Sequence, residues 1–239
     1  TLTTNDISVT RIFVNGKIIH VGGARYEHAG NFYFRGMGIS RGEMMENGMD
    51  ALFDACVLCN NAGLIPPKTD TDRWSIIGDP TEAAMLVMAA KGGLNIEERR
   101  DALPRIGQLP FEAVRKRMTS INLIDGQSHA YVKGAPREVL ELCTQILNKG
   151  KGESLTDSMR NIILSKNDSM ARDGLRVLGV AYRPLDFSEN FTVENTEKDL
   201  IFLGLVGMMD PPRPEVPMAI KACHNAGIRV AMITGDYGL

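Results

Sequence analysis

Lys133-Gly134-Ala135-Pro136 stands between a short apolar run, Ala130-Tyr131-Val132, and a helical pattern of Val139, Leu140, Leu142 and Cys143. A strand that ends in Lys-Gly and feeds a helix presents its ammonium group at the rim of a sheet. Gly134 lacks the side chain that blocks close approach of a ligand. Pro136 suits the first helical position, and the donors of that turn add a partial positive potential. Such a place suits a phosphate or a polarised ring. Upstream, Phe111 follows Pro110 and precedes a basic run, Arg115-Lys116-Arg117. A nucleotide needs this combination: a face for the base and charge for the phosphates. Plainer roles fit too. A lysine before a turn is commonly just solvated, a lone Phe is commonly core, and a short basic run is commonly a solvated strand edge. The residues alone leave both readings open.

The elements that must position these groups are of mixed type. Residues 7–13 and 17–21 are β-rich around Asn15-Gly16, a dipeptide that tolerates positive φ at both turn positions and predicts a hairpin. Residues 22–43 are Gly-rich without clear periodicity and read as a long loop. Residues 47–59 read as a helix with Ala51, Leu52, Ala55, Leu58 and Cys59 on one face. Asp79 suits a helix cap and Pro80 the first turn, with Gly92-Gly93 as the stop. A shorter helix is expected over 96–103. Strands are expected over 117–124 and 129–133, joined at Asp125-Gly126. Helices are expected over 136–147 and 155–173, then strands over 177–183 and 200–208. Asp210-Pro211-Pro212-Arg213-Pro214 predicts a stiff extended connector, followed by a helix over 215–226 and a strand over 228–234. The reading is an α+β domain, mostly antiparallel sheet flanked by helices, followed by a short α/β fragment.

Composition sets the outer limits. The chain has 239 residues, 44% hydrophobic and 23% charged, as in a soluble globular protein that can bury a large core. A net charge of −2 gives no global basic surface, so nucleic acid is not an expected partner. Four cysteines are too few for a disulfide scaffold. Cys56 and Cys59 read as small apolar core residues of a reduced protein, with no second ligand pair for a metal. No run reaches the length of a membrane span.

Six motifs then line up: Thr1-Leu2-Thr3; Gly78-Asp79-Pro80-Thr81-Glu82; Pro110-Phe111 through Arg115-Lys116-Arg117-Met118; Lys133-Gly134-Ala135-Pro136; Asp210-Pro211-Pro212-Arg213; and Thr234-Gly235-Asp236. In this order, across the whole chain, the sequence resembles the nucleotide-binding domain of a P-type cation-transporting ATPase. Gly174-Leu175-Arg176-Val177-Leu178 followed by Ala181-Tyr182-Arg183 is similar to the calcium-pump branch. The resemblance implies an ATP-binding domain at 5–209, with 1–4 and 210–239 as hinge and phosphorylation-domain remnant. It implies that Phe111 stacks on adenine, that Lys133 and Gly134 line the adenine pocket, and that Lys116 lies near the nucleotide. Glu82 falls on the acidic residue that contacts the adenine amino group, and Arg176 on the arginine that reaches the phosphates. Asp210 and Arg213 fall in the hinge; Thr234, Gly235 and Asp236 fall in the phosphorylation domain.

The resemblance also implies what lies elsewhere. The phosphorylated aspartate is expected just before residue 1 and the magnesium motif beyond Leu239. No catalytic or metal-ligating residue is therefore expected within the chain, which alone should bind ATP without turnover. ATP and, in the full pump, Mg2+ are the implied cofactors. The phosphorylation, actuator and membrane domains are the implied partners, and the chain is expected to be a cytoplasmic domain of an integral membrane ion-translocating enzyme. Two positions depart from the pattern: Arg137 stands where calcium pumps carry an acidic residue, and Ala113 where they often carry an arginine for the phosphates. Calcium is the expected cargo, with a pump for sodium/potassium, protons or magnesium as the alternative, and a non-catalytic interaction module as a further one. A P-loop enzyme lacks its G-x-x-x-x-G-K-[ST] here, and Gly36-Met37-Gly38 does not complete a kinase-type loop. A dehalogenase-type phosphatase would need its own aspartate nucleophile.

Overall fold

A computed structural model describes residues 2–23, 30–67, 74–186 and 189–231. β1 (Ser8–Val14) and β2 (Lys17–Val21) form the expected hairpin. Asn15 and Gly16 take φ of 48° and 73°, the paired left-handed conformation that matches strand twist. β3 (Phe32–Phe34), β4 (Met37–Gly38) and α1 (Arg41–Glu46) then occupy the second half of the stretch expected to be a loop. These strands are too short to show periodicity. The helix start is a capping box in which Ser40 and Glu43 satisfy each other's backbone donors.

α2 (Met49–Leu58) is followed by a small hairpin of β5 (Gly63–Ile65) and β6 (Ser75–Ile77). α3 (Pro80–Lys91) and α4 (Ile96–Ala102) come next. Three strands follow: β7 (Arg105–Glu112), β8 (Arg117–Ile124) and β9 (Gln127–Gly134). α5 (Pro136–Glu141) is shorter than the helix expected over 136–147, because β10 (Cys143–Asn148) takes its second half. The edge of the sheet decides this: Leu200 N donates to Leu142 O at 2.9 Å, and Cys143 pairs with Leu200. β11 (Lys151–Ser154), α6 (Asp157–Arg172), β12 (Arg176–Leu185), α7 (Val193–Thr196), β13 (Leu200–Met209) and α8 (Val216–Asn225) complete the order. Residues 228–231 of the strand expected at 228–234 are irregular, and the rest lie outside the described residues.

The architecture is α+β. The main path of the sheet runs β4-β3-β2-β1-β13-β12-β9-β8-β7, antiparallel throughout, with β10 joining β13 in parallel. Side chains alternate between two cores, as strand geometry requires. Tyr131, Val180 and Met118 join the cluster that buries α2 and α3. Val132, Ala181 and Phe202 join the cluster that buries α5 and α6. Cys56 and Cys59 are free thiols in the first of these cores, and burial pushes both toward the protonated form.

The two connecting segments run side by side. Thr4 N donates to Pro211 O at 3.0 Å, and Arg213 N to Leu2 O at 3.0 Å. No helix among the described residues is long and apolar enough to cross a membrane.

Candidate functional site

Lys133 is the next-to-last residue of β9, flanked by Met118 on β8 and Val180 on β12. It is only 5% exposed. Its Nζ lies 2.8 Å from Glu82 Oε1, an ion pair without hydrogen-bond alignment. A buried ammonium is tolerated only with such a partner. Glu82 is held on three sides. The Asp79 carboxylate accepts from Thr81 N at 2.8 Å and Glu82 N at 3.2 Å, which fixes the first turn of α3. Asn61 N donates to Glu82 Oε2 at 2.9 Å, and Asn60 Nδ2 donates to Glu82 O at 2.8 Å.

The Asn60-Asn61 loop is itself anchored by arginines that collect the carbonyls left open at the end of α2. Arg105 donates to Leu58 O and Asn60 O, both at 2.7 Å, and to Asn61 Oδ1 at 2.6 Å. Arg100 donates to Val57 O, Asn60 O and Ala62 O. Between them lies an open cleft of about 350 Å³, reaching from Asn60 and Asn61 to Asn122. Sequence reasoning missed this support. Its visible signal was the Asn60-Asn61 pair at a helix end, which favours side chain to backbone bonding.

Phe111 lies in β7, near the turn into β8. Leu109 pairs with Thr119 and Glu112 with Arg117, so Pro110 and Phe111 together face Met118 in a β-bulge. Met118 in turn pairs with Lys133. Phe111 and Lys133 thus lie on one rung of the sheet, two strands or roughly 10 Å apart. Phe111 is 65% exposed, while Lys133 is buried.

The basic run behaves differently from a cluster of phosphate-binding cations. Arg115 and Arg117 both reach Glu197, whose side chain has no exposure: Arg115 Nη1 at 2.5 Å to Oε1 and Arg117 Nε at 2.6 Å to Oε2. Thr119 Oγ1 donates to the same carboxylate at 2.7 Å. Burial of two cations and one anion requires this mutual satisfaction. Lys116 has a φ of 52° and is well exposed; its Nζ lies 2.6 Å from Glu138 Oε1. The Lys116 hydrogen bond holds the Glu138 carboxyl below the usual carboxylate range.

Gly134 next to Lys133 also has a structural reason to lack a side chain. A Cβ there would lie 2.7 Å from Arg117 Cα, in space taken by the chain's own backbone. Ala135 N donates to Lys116 O at 2.9 Å, closing the β8 turn over the end of β9. Arg176 opens β12, and its Nη1 donates to Thr81 Oγ1 at 3.3 Å. The first turn of α3 therefore touches both Arg176 and Lys133. Asp210 and Arg213 lie in the connector, away from this turn along the chain, and Thr234, Gly235 and Asp236 lie outside the described residues. Glu82 is bound by Lys133 and Asn61, Glu138 by Lys116, and no group of three His, Cys, Asp or Glu side chains gathers among the described residues.

Residues 48–215 match the family model of the P-type ATPase cytoplasmic domain N. The chain belongs to the P-type ATPases. The match covers the elements from α2 through β13 that build the site. Among P-type ATPase relatives, the chain is 38% identical over 238 residues to a calcium-transporting ATPase of Bacillus subtilis, covering 99% of the chain and 26% of that protein. It is 36% identical over 244 residues to the cation-transporting ATPase pma1 of Synechocystis, with the same coverage, 99% and 26%. It is 35% identical over 190 residues to the sodium/potassium exporting P-type ATPase cta3 of Schizosaccharomyces pombe, covering 78% of the chain and 18% of that protein. The chain spans about a quarter of the length of the first two.

Proposed function

We propose that this P-type ATPase N domain binds ATP between the Phe111 ring and the Lys133–Glu82 pair, and carries the γ-phosphate to an aspartate outside the chain. The observation that carries the reading is the shared rung: an exposed aromatic ring two strands from a buried, paired ammonium. The adenine ring stacks on Phe111, with Lys133 and Gly134 lining the pocket. The Glu82 carboxylate, fixed by Asn61 and Asp79, accepts from the adenine amino group. Lys116 exchanges Glu138 for phosphate oxygens, and Arg176 meets the phosphates from the far end of the α3 turn. Mg2+ bound with the nucleotide in the full pump would supply charge neutralisation of the phosphates.

Catalysis in such a pump rests on positioning. The domain contributes the orientation that turns phosphoryl transfer into an in-line, effectively intramolecular step. Residues 5–209 act as the nucleotide-binding body, with 1–4 and 210–239 as hinge and the start of the phosphorylation domain. The paired segments at Leu2–Arg213 and Thr4–Pro211 suit a hinge, because they tie both crossings together so that the body swings as one.

The intact protein is then a membrane cation pump with this domain on the cytoplasmic side, partnered by its phosphorylation, actuator and membrane domains. Calcium is the favoured cargo, supported by similarity to the calcium-transporting ATPase of Bacillus subtilis. The Schizosaccharomyces pombe relative supports sodium or potassium as the second reading. An ATP titration followed by amide chemical shifts tests the binding role. Glu82, Phe111, Lys116 and Lys133 should move together with one dissociation constant. A non-catalytic interaction module would leave them still.

A further inference from the structure

Arg115 belongs to the basic run, where its charge suggests a phosphate contact. Its guanidinium is turned elsewhere. Nη2 donates to Pro110 O at 2.7 Å, and Nε to Glu112 Oε2 at 2.8 Å. Those two residues flank Phe111 in the bulge. Nη1 is held at 2.5 Å by Glu197, a carboxylate with no exposure that is also bound by Arg117 and Thr119. One planar fork thus ties both neighbours of an exposed ring to a buried anchor. A bulge residue has no ladder partner of its own to hold it, and an exposed aromatic ring gains little from packing. The fork supplies the missing constraint.

We infer that Arg115, anchored by Glu197, is a positioning residue that sets the Phe111 ring for base stacking and makes no phosphate contact. The inference rests on the ATP-binding reading. Lysine cannot reproduce it: an ammonium keeps the charge but lacks the rigid fork that reaches three acceptors at once. A phosphate contact and a positioning role therefore predict opposite behaviour for Arg115→Lys.

The test compares AMP and ATP affinities of the 239-residue chain, by chemical-shift titration, for the parent, Arg115→Lys, Phe111→Ala and the double variant. Arg115→Lys should weaken AMP and ATP by the same factor, about five- to tenfold, a part of the stacking contribution. In the Phe111→Ala background it should cost nothing further, because residues acting through one another are not additive. A general loss of stability would not produce that pattern at a temperature where each variant is folded. Parent-like binding, a loss confined to ATP, or a full additional loss in the double variant would each overturn the inference. If Arg115→Lys does not fold, Glu112→Gln, at an exposed carboxylate, takes its place under the same criteria with a smaller factor. If Phe111→Ala itself leaves ATP binding unchanged, the ATP-binding reading fails, a result separable from failure of the Arg115 inference alone.

Discussion

Lys133 Nζ and Glu82 Oε1 lie 2.8 Å apart, joining the end of a central strand to the first turn of a helix on the sheet's face. Both side chains are largely withdrawn from water, at 6% and 14% exposure. Neither is stable there alone. The pair is therefore a structural joint between strand and helix.

Replacing Lys133 with Met should lower stability by about 3–5 kcal/mol, because it leaves the Glu82 carboxylate without its cation. Adding Glu82→Leu should return part of that loss, since an apolar pair of similar volume avoids the desolvation of both charges. Urea unfolding of the three proteins measures this. Equal midpoints for parent and Lys133→Met would rule out the joint.

Glu197 is the second such joint. Glu197→Leu leaves Arg115 and Arg117, at 14% and 13% exposure, without their shared anion. The expected cost is again about 3–5 kcal/mol. Amide exchange should also quicken in residues 110–119 more than in β12 or β13. A uniform change across the sheet would contradict a local clamp.

Glu138 offers a pH readout. Its carboxyl is held low, first by the Lys116 hydrogen bond. A depressed folded value means that the contact stabilises above the unfolded carboxylate pKa and is lost as pH falls through the folded one. Lys116→Met should move the Glu138 midpoint upward, and saturating ATP should do the same by drawing Lys116 away. Carboxyl carbon titration by NMR follows both. An unchanged midpoint in Lys116→Met would show that the contact does not persist in solution.

Gly134→Ala should destabilise the ATP-free chain by about 1–3 kcal/mol, through the clash of the new Cβ with the Lys116-Arg117 backbone. If Gly134 instead only cleared space for a ligand, melting of the ATP-free protein would not change.

Much of this was legible in the sequence, and the reasons are specific. Asn15-Gly16, Asp79-Pro80 and Asp125-Gly126 carry their conformations in their own chemistry, so the hairpins and the start of α3 were readable. β10 was not. Thr144, Gln145 and Ile146 are held by the edge of β13 on one side and, from Gln145 on, by β11 across the Lys149-Gly150 turn on the other, and a local pattern cannot report the distant partner. β7 was hidden in the same way by its bulge at Pro110-Phe111. The site was half legible. Lys133 and Phe111 stood out by type, but the partner of each cation did not. Arg115 and Arg117 look like ligand-binding charge until Glu197, far along the chain, claims both. Gly134 was singled out, and only the register of β8 on β9 shows what fills the space beside it.

The central claim is that the ring at 111 forms one wall of the ATP site. Its most direct test is an ATP titration of the parent chain against Phe111→Ala, under conditions where both are folded. Phe111→Ala is expected to lose about 1–3 kcal/mol of binding free energy, the stacking contribution of one base. Indistinguishable affinities for the two proteins would contradict it.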